Sequence, residues 1–397
     1  MIGKKTAVGM IALGALLSFV RADVETTMVT LAVASDFGKG MNWGEIFSGY
    51  QDRGTYRNLA RMSDGRWIIA DSRTYNFLIF DETGRFMRTL WKKGLRDSDA
   101  AQQPGRIEWI SLLDDKSIFV LEPSRIRVFD LDGKEVRSTP ISHPVQCFDA
   151  LDERTVALAG SMDRPALPKR YVAGILDLET GKEIVVMDSV ESTSRKKPIP
   201  LTEDGSKTMS VDYPFAEIRS FVRRTPEGGF IAGFSNWPEI EVYDKSGRQL
   251  RIISLKTERA YFEISTIESI GSQARRIENI GGHSYFSYKK RVPKSDYPKD
   301  SPYYYNLAVN DEGEILVFSF PSEGTRPVFQ SYSPDGRLKL DVVLDPGDFE
   351  LLLTPAAAGI SFFRGDLYAL AEPKAAAGIR LRFMKCFLKL GSQTDKK

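Results

Sequence analysis

Short apolar runs alternate with polar turns along most of the chain. Residues 56–94 show this pattern most clearly, with four apolar runs separated by one polar loop and by two turns that contain aspartate and glycine. The runs follow a period of two residues rather than a helical period, which is typical of β-strands. Aspartate side chains cap tight turns and glycine adopts the positive φ that hairpins need. The segment therefore predicts a four-stranded antiparallel meander.

The same unit recurs along the chain. Further copies are predicted at residues 111–134, 156–182, 226–248, 310–337 and 359–387. The two turn glycines lie 19 residues apart in the first copy, at Gly65 and Gly84, and again in the fourth, at Gly228 and Gly247. One four-stranded sheet cannot bury its own faces, and radial packing of such sheets gives a β-propeller. We therefore predict an all-β fold over residues 23–392, a six-bladed β-propeller of four-stranded antiparallel blades.

The last repeat has a weak fourth strand before the polar tail at residues 393–397. An apolar run upstream of the first repeat, Thr27 to Val33, has no partner within its own repeat. Pairing this run with the last sheet would close the ring and cover two sheet edges that otherwise promote aggregation. We expect that pairing.

The segment 256–302 interrupts the repeats between blades four and five. Isoleucines recur at three- and four-residue spacing between Glu258 and Ile280, which predicts a helix or a helix pair broken near Gly271. A tract rich in aromatic and basic residues follows at 283–305. Its tyrosines either cap the ring or pack the insertion onto a neighbouring blade, and packing is favoured for Tyr303 to Tyr305.

One repeat carries a pattern that is known from other proteins. Ile69-Ala70-Asp71, Asn76, Ile79-Phe80-Asp81, Gly84 and Phe86 stand at spacings that resemble the NHL repeat. Over residues 25–390 the chain resembles secreted bacterial six-bladed β-propeller proteins. The resemblance implies the fold and leaves the activity open, because propellers host binding, lyase and lactonase functions.

The first 22 residues have the features of a secretory signal peptide. Lys4 and Lys5 precede an apolar run from Ala7 to Val20, and Ala22 ends the segment with a small residue. The run is short for a membrane span, although an uncleaved anchor is the alternative interpretation. We expect an extracytoplasmic protein, periplasmic or secreted, with no membrane span after cleavage.

The charge balance gives no sign of a nucleic-acid partner. Cleavage after residue 22 leaves 52 basic and 53 acidic residues, so the mature chain is not a polycation. Cys147 and Cys386 are the two cysteines, and each lies in an apolar, strand-like stretch. We interpret them as separate core thiols rather than as a disulfide, and we expect a monomer.

Candidate catalytic and metal-binding groups are few. The chain has two histidines, His143 and His283, in different repeats, and it lacks the GxSxG and HExxH motifs. We therefore assign no catalytic residue, no metal ligand and no cofactor. Calcium remains open, since Asn58, Asn306 and nearby acids can face a central channel.

The recurring turn acids are interpreted as structural. Asp81, Asp130, Asp132, Asp177, Asp244 and Asp335 stand at hairpins between third and fourth strands, where carboxylates cap turns.

The loops between second and third strands vary from repeat to repeat and gather at one mouth of a propeller. The candidate ligand-binding residues on these loops are Asp71, Arg73, Tyr75, Asn76, Arg125, Asn236, Trp237 and Arg326. Arginines beside exposed aromatic rings can hold a protein, a peptide, or a small anionic or carbohydrate ligand. A plain solvated rim is the alternative. The sequence favours a ligand-binding or protein-interaction module, and the runner-up is a metal-dependent hydrolase or lyase, lactonase-like, that uses the central channel.

Overall fold

The structure is a computed structural model of the chain. It describes residues 27–47, 56–72, 74–91, 104–114, 116–162, 170–190, 198–200, 208–211, 219–256, 276–280, 283–287, 302–319, 328–351, 360–374 and 381–390. The described residues form 29 β-strands and one short helix, α1 (Trp43–Ile46). The fold is all-β, as the two-residue period predicts.

Four sheets are antiparallel meanders in which each strand pairs with the next along the chain. Sheet 1 contains β2 (Tyr56–Arg61), β3 (Trp67–Asp71), β4 (Asn76–Phe80) and β5 (Phe86–Thr89). Sheet 2 contains β6 (Trp109–Leu113), β7 (Ser117–Glu122), β8 (Arg125–Asp130) and β9 (Glu135–Pro140). Sheet 3 contains β10 (Val145–Ala150), β11 (Thr155–Met162), β12 (Arg170–Asp177) and β13 (Glu183–Val190). Sheet 4 contains β16 (Ser220–Arg224), β17 (Phe230–Phe234), β18 (Glu239–Tyr243) and β19 (Gln249–Ser254).

The last two repeats share one nine-stranded sheet. One half is a meander of β22 (Asn306–Val309), β23 (Ile315–Ser319), β24 (Val328–Tyr332) and β25 (Leu338–Asp345). The other half contains β1 (Thr27–Val33), β26 (Phe349–Leu351), β27 (Ile360–Phe363), β28 (Asp366–Pro373) and β29 (Arg382–Leu390). The halves meet where β1 and β25 pair in parallel.

The N-terminal strand β1 closes the chain onto itself. It pairs antiparallel with β29, with Val29 opposite Leu390 and Val33 opposite Cys386. The predicted pairing of this strand with the last sheet is therefore confirmed. Its second, parallel pairing with β25 was not predicted, and it covers the outer edges of both halves of the large sheet.

The first strands of the repeats contact one another in sequence. β2 contacts β6, β6 contacts β10, β10 contacts β16, β16 contacts β22, β22 contacts β27, and β27 contacts β2. Four-stranded antiparallel sheets that meet through their first strands have a propeller-like arrangement. The described sheets differ from the expected six separate blades, because the parallel contact between β1 and β25 merges the last two repeats.

Apolar side chains fill the spaces between sheets. The first and last repeats pack through aromatic rings, with the Trp67 and Tyr368 centroids 4.2 Å apart and Phe80 5.4 Å from Phe383. Burial of such rings is the main stabilising contribution to this contact, at about 25 cal/mol for each Å² removed from water.

Local turn chemistry explains the hairpins. Asp81 Oδ1 accepts hydrogen bonds from the backbone amides of Thr83 and Arg85, both at 2.9 Å, while Gly84 adopts φ +79°. Asp130, Asp177 and Asp244 also accept backbone amides in their turns, which confirms the capping prediction for these residues. In the turn of residues 333–337 the corresponding acceptor is Ser333 Oγ rather than Asp335.

The insertion is described only in part, and there it is β-structure. Its strands β20 (Arg276–Ile280) and β21 (His283–Ser287) form a fifth four-stranded sheet with β14 (Pro198–Pro200) and β15 (Thr208–Val211), which precede sheet 4 in the chain. The prediction of a helix reaching Ile280 was therefore wrong over residues 276–280, and residues 257–275 lie outside the described residues. The backbone of β20 pairs with β15 and β21, and a partner so distant in sequence overrides a local apolar spacing.

Three further predictions concern export and the thiols. The predicted signal peptide lies outside the described residues, and within the described ranges no helix is long and apolar enough to cross a membrane.

Cys147 and Cys386 are both buried and unpaired, which confirms the interpretation as separate thiols.

Candidate functional site

Strand register places the beginning of each first strand at the same end of the sheet as the variable loop. The paired residues at this end are Tyr56 with Asp71, Trp109 with Leu121, Ser220 with Phe234, and Asn306 with Phe318. Each second strand then runs into the loop that leads to its third strand. We call this end the upper face, because a propeller-like arrangement gathers such loops on one side of the ring.

Two predicted site residues in sheet 1 hold the loop together. Asp71 is buried and accepts hydrogen bonds from the backbone amide of Thr74 at 3.2 Å and from its hydroxyl at 2.6 Å. Asn76 is also buried, and its Nδ2 donates to the Trp91 carbonyl at 2.8 Å, while its Oδ1 accepts from the Trp91 amide at 3.0 Å. Both side chains are thus engaged in fixing the loop geometry.

Tyr75 and Arg125 are the more exposed members of the predicted set. Tyr75 is 42% exposed and adopts φ +53° between Asp71 and Asn76. Arg125 Nε donates to Glu122 Oε2 at 2.6 Å, and this hydrogen bond raises the pKa of Arg125. The carboxylate offsets the charge that Arg125 presents to a ligand. Arg73 and Arg326 lie outside the described residues.

Asn236 and Trp237 form the upper loop of sheet 4. The Trp237 ring lies 5.2 Å from the Phe234 ring in a T-shaped contact. Asn236 Oδ1 is buried and has no hydrogen-bond partner among the described residues. The backbone amide of Tyr303 donates to the Ser235 carbonyl at 2.6 Å. Tyr304 is buried, with its ring 5.6 Å from that of Phe221, which confirms that this end of the aromatic tract packs against a blade.

Sequence reasoning missed Arg223, which connects three sheets. It lies on β16 and is 9% exposed. Its Nη1 donates to the Val222 carbonyl at 2.7 Å, and its Nη2 donates to Asn306 Oδ1 on β22 at 3.0 Å. Its guanidinium carbon lies 4.6 Å from the centroid of the Trp109 ring on β6. The guanidinium therefore sits where the first strands converge.

No carboxylate among the described residues forms an ion pair with Arg223. Its described hydrogen-bond partners are the Val222 carbonyl, the Asn306 side-chain oxygen and the Cys147 thiol, none of which is a carboxylate. Burial raises the pKa of the Cys147 thiol, and the adjacent Arg223 guanidinium acts in the opposite direction. Asp149 Oδ2 accepts instead from the backbone amide of Arg224 at 2.9 Å. A buried cation without a carboxylate partner is costly in a fold, and it creates a strong attraction for an anion.

Asn58 is a second unusual group on the first strands. It is 3% exposed, adopts φ +56°, and neither Oδ1 nor Nδ2 has a hydrogen-bond partner among the described residues. The other asparagine considered for calcium is Asn306. Its Oδ1 accepts a hydrogen bond from the Arg223 guanidinium and so already contacts a positively charged group. In the described ranges, no three His, Cys, Asp or Glu side chains lie close enough together to hold a metal ion.

A sequence signal for Arg223 exists but is weak. Arg223 and Arg224 end an apolar run at Phe221 and Val222, just before the predicted turn at residues 226–229. An arginine pair at a strand end is usually interpreted as two solvent-exposed side chains. Its burial depends on β6 and β22, which lie far away in the sequence.

Comparisons with known proteins show likeness in structure alone. No family model matches the chain, and no curated protein matches it. Similar solved structures include a DUF4221 family member from Bacteroides vulgatus, with 13% identity, a TM-score of 0.47, and coverage of 92% of this chain and 99% of that one. A protein from Bacteroides fragilis described as exported has 11% identity and a TM-score of 0.46, over 84% of this chain and 89% of that one. A gluconolactonase from Xanthomonas campestris has 10% identity and a TM-score of 0.39, over 92% of this chain and 96% of that one. At these values no activity or residue role transfers to this chain.

Proposed function

We propose that this chain is an exported six-bladed β-propeller that binds a small anionic ligand in its central channel. The observation that carries the proposal is the buried guanidinium of Arg223, which forms no ion pair with a carboxylate among the described residues. A carboxylate that entered the channel would supply the missing counter-charge.

The closed order of first-strand contacts supports six blades. Six first strands, β2, β6, β10, β16, β22 and β27, contact one another in a circuit. The nine-stranded sheet divides into β22–β25 and a second unit of β26–β29 with β1, and among the described residues these units pair only through β1 and β25. Each unit then counts as one blade, and the NHL-like spacing of the first repeat agrees with that count. The basic and apolar character of residues 1–22 supports export.

The chemistry of arginine favours a carboxylate ligand. A guanidinium has five N–H donors in a planar fork that matches the two oxygens of a carboxylate. The described contacts of Arg223 account for donation to Val222 and Asn306, and the Trp109 ring lies alongside the guanidinium and helps to fix its plane. A preorganised fork of this kind loses little entropy when an anion binds.

The variable loops would form the outer part of the same site. Tyr75 and Trp237 provide aromatic surface on the loops of sheets 1 and 4, and Asn236 contributes an acceptor that has no partner among the described residues. Arg73 and Arg326 complete the proposed set of loop contacts. Arg125 contributes less than an unpaired arginine, because Glu122 already holds it.

Three related small molecules test the proposal. Gluconate carries a charge and hydroxyl groups, hexanoate carries the charge alone, and sorbitol carries the hydroxyl groups alone. Isothermal titration calorimetry on the purified mature chain should detect both anions and show little heat with sorbitol. The variant Arg223→Met keeps a side chain of similar volume and removes the charge, so it should lower the affinity for both anions by about tenfold or more.

A matched control is Arg248→Met, which removes an exposed arginine of the sheet 4 hairpin. It should leave both affinities unchanged. The proposal is wrong if no anion binds, or if Arg223→Met remains folded by circular dichroism and binds the anions as the natural chain does.

A further inference from the structure

We propose that Asn58 is a specificity-determining residue of the anion site and that it selects ligands with a hydroxyl group near the carboxylate. This inference rests on the proposed function, and it names the ligand class as hydroxylated carboxylates, such as sugar acids. Three features of Asn58 lead to it.

The first feature is its place in a strand irregularity. β2 shifts register between Arg57 and Leu59, so Asn58 is the extra residue of a β-bulge. Bulges re-aim a side chain that would otherwise follow the alternation of the strand, and they are enriched next to functional sites. Asn58 also has φ +56°, a left-handed conformation that is unfavourable for most residues and that asparagine tolerates better than most other non-glycine residues.

The second feature is the contrast with the bulge in the first strand of sheet 3. β10 shifts register between Val145 and Cys147, so Gln146 is the extra residue there. Gln146 Oε1 accepts hydrogen bonds from the backbone amide and the hydroxyl of Ser220, on the first strand of the next sheet. In sheet 3 the bulged amide therefore joins two blades. Asn58 is the bulged amide of sheet 1, one register position nearer the turn, and it makes no such bond among the described residues.

The third feature is chemical. An amide buried with both its donor and its acceptor unused destabilises the fold, since each group has lost water without gaining a partner. Such an amide presents N–H and C=O side by side, and a hydroxyl group, which both donates and accepts, can satisfy the pair. A carboxylate alone can accept only from the N–H.

The neighbouring strands link Asn58 to the charged group. β2 contacts β6, which carries Trp109, and the Trp109 ring packs against the guanidinium of Arg223. Asn58 is the third residue of β2, and Trp109 is the first residue of β6, so both belong to the upper halves of adjacent first strands. A ligand whose carboxylate meets Arg223 would extend its hydroxyl groups along Trp109 toward Asn58.

The test compares gluconate with hexanoate in Asn58→Gly and Asn58→Asp. Glycine adopts positive φ freely and removes the amide, so the fold keeps its backbone. Aspartate keeps the shape and removes the N–H donor. We expect Asn58→Gly to lower the affinity for gluconate about five- to tenfold and to change the affinity for hexanoate by less than about twofold. Its melting temperature should equal or exceed that of the natural chain.

Asn58→Asp should lower the affinity for both anions, because its carboxylate repels them. The natural chain should prefer gluconate, and Asn58→Gly should abolish that preference. If Asn58→Gly melts lower and keeps the full preference for gluconate, Asn58 binds an internal water instead and the inference fails while the proposed function stands. If the natural chain binds neither anion, the proposed function fails and the inference fails with it.

Discussion

The buried carboxylate of Glu122 allows a quantitative test of how sheet 2 is held together. Its side chain is 4% exposed, and it accepts hydrogen bonds from Arg127 Nη1 at 3.2 Å, Arg125 Nε at 2.6 Å and the Gly105 amide at 2.7 Å. The Arg127 side chain is 3% exposed and also donates to Glu135 Oε2 at 3.0 Å. The variant Arg127→Met removes the buried cation and leaves the carboxylate in place.

Breaking a buried ion pair by removing one partner costs about 3–5 kcal/mol, because the remaining charge stays out of water. Glu122 would keep the donors from Arg125 and Gly105, so we expect a loss near the lower limit, about 3 kcal/mol. The matched control is Arg125→Met. The Arg125 side chain is 46% exposed and its loss leaves Arg127 on Glu122, so it should cost about 1 kcal/mol or less.

Urea denaturation followed by tryptophan fluorescence and by circular dichroism measures both variants. The double variant Glu122→Gln/Arg127→Met removes both charges and should recover at least about 1 kcal/mol relative to Arg127→Met. Equal losses for Arg125→Met and Arg127→Met would refute the argument, because they would show that burial does not set the energy of this network.

Two further predictions concern pH and backbone geometry. Burial opposes protonation of His143, but the hydrogen bond at 2.9 Å and the charge of Glu183 outweigh it and raise the pKa of His143. The pair therefore stabilises the fold below about pH 6.5, and this contribution is lost as the pH rises through the raised folded-state pKa. Urea midpoints at about pH 5.5 and about pH 8.5 should differ more in the natural chain than in His143→Gln, and an equal difference contradicts the argument. Gly84 has φ +79° and an added Cβ would lie 2.6 Å from the Phe37 ring, whereas Gly181 has φ +67° and open space around it. Gly84→Ala should cost about 1–3 kcal/mol more than Gly181→Ala in the same denaturation assay, and equal costs would exclude the steric contribution of Phe37.

The hairpins could be predicted from the sequence because their causes are local. Asp81 and Gly84 stand three residues apart, and the carboxylate and the positive φ act within that turn. The pairing of the N-terminal strand with the last sheet could also be predicted, since an orphan strand and an incomplete blade need each other.

The remaining features depend on contacts between distant segments. The β15–β20 pair joins Thr208–Val211 to Arg276–Ile280, with all of sheet 4 between them in the chain. The apolar spacing before Ile280 gave no sign of that partner. The parallel contact between β1 and β25 is equally non-local.

The residues of the candidate site also divide into those that could be predicted from the sequence and those that could not. The sequence placed Trp237 and Tyr75 on variable loops, and both lie there. It could not identify Arg223, because burial of this residue comes from Trp109 and Asn306 on other sheets. Nor could it show that the Asn76 side chain would bind the backbone of Trp91, after β5.

The antiparallel pairing of β1 with β29 has a mechanical consequence. Val29 lies opposite Leu390, and Val33 lies opposite Cys386, so the chain enters β1 and leaves β29 at the same end of the pair. A force that pulls these two ends apart loads one set of hydrogen bonds at a time and unzips the strands. The same force applied across the parallel pair of β1 and β25 would shear several bonds together. The pairing of β1 with β29 therefore resists such a force less than the pairing of β1 with β25, and under tension β1 separates from β29 first.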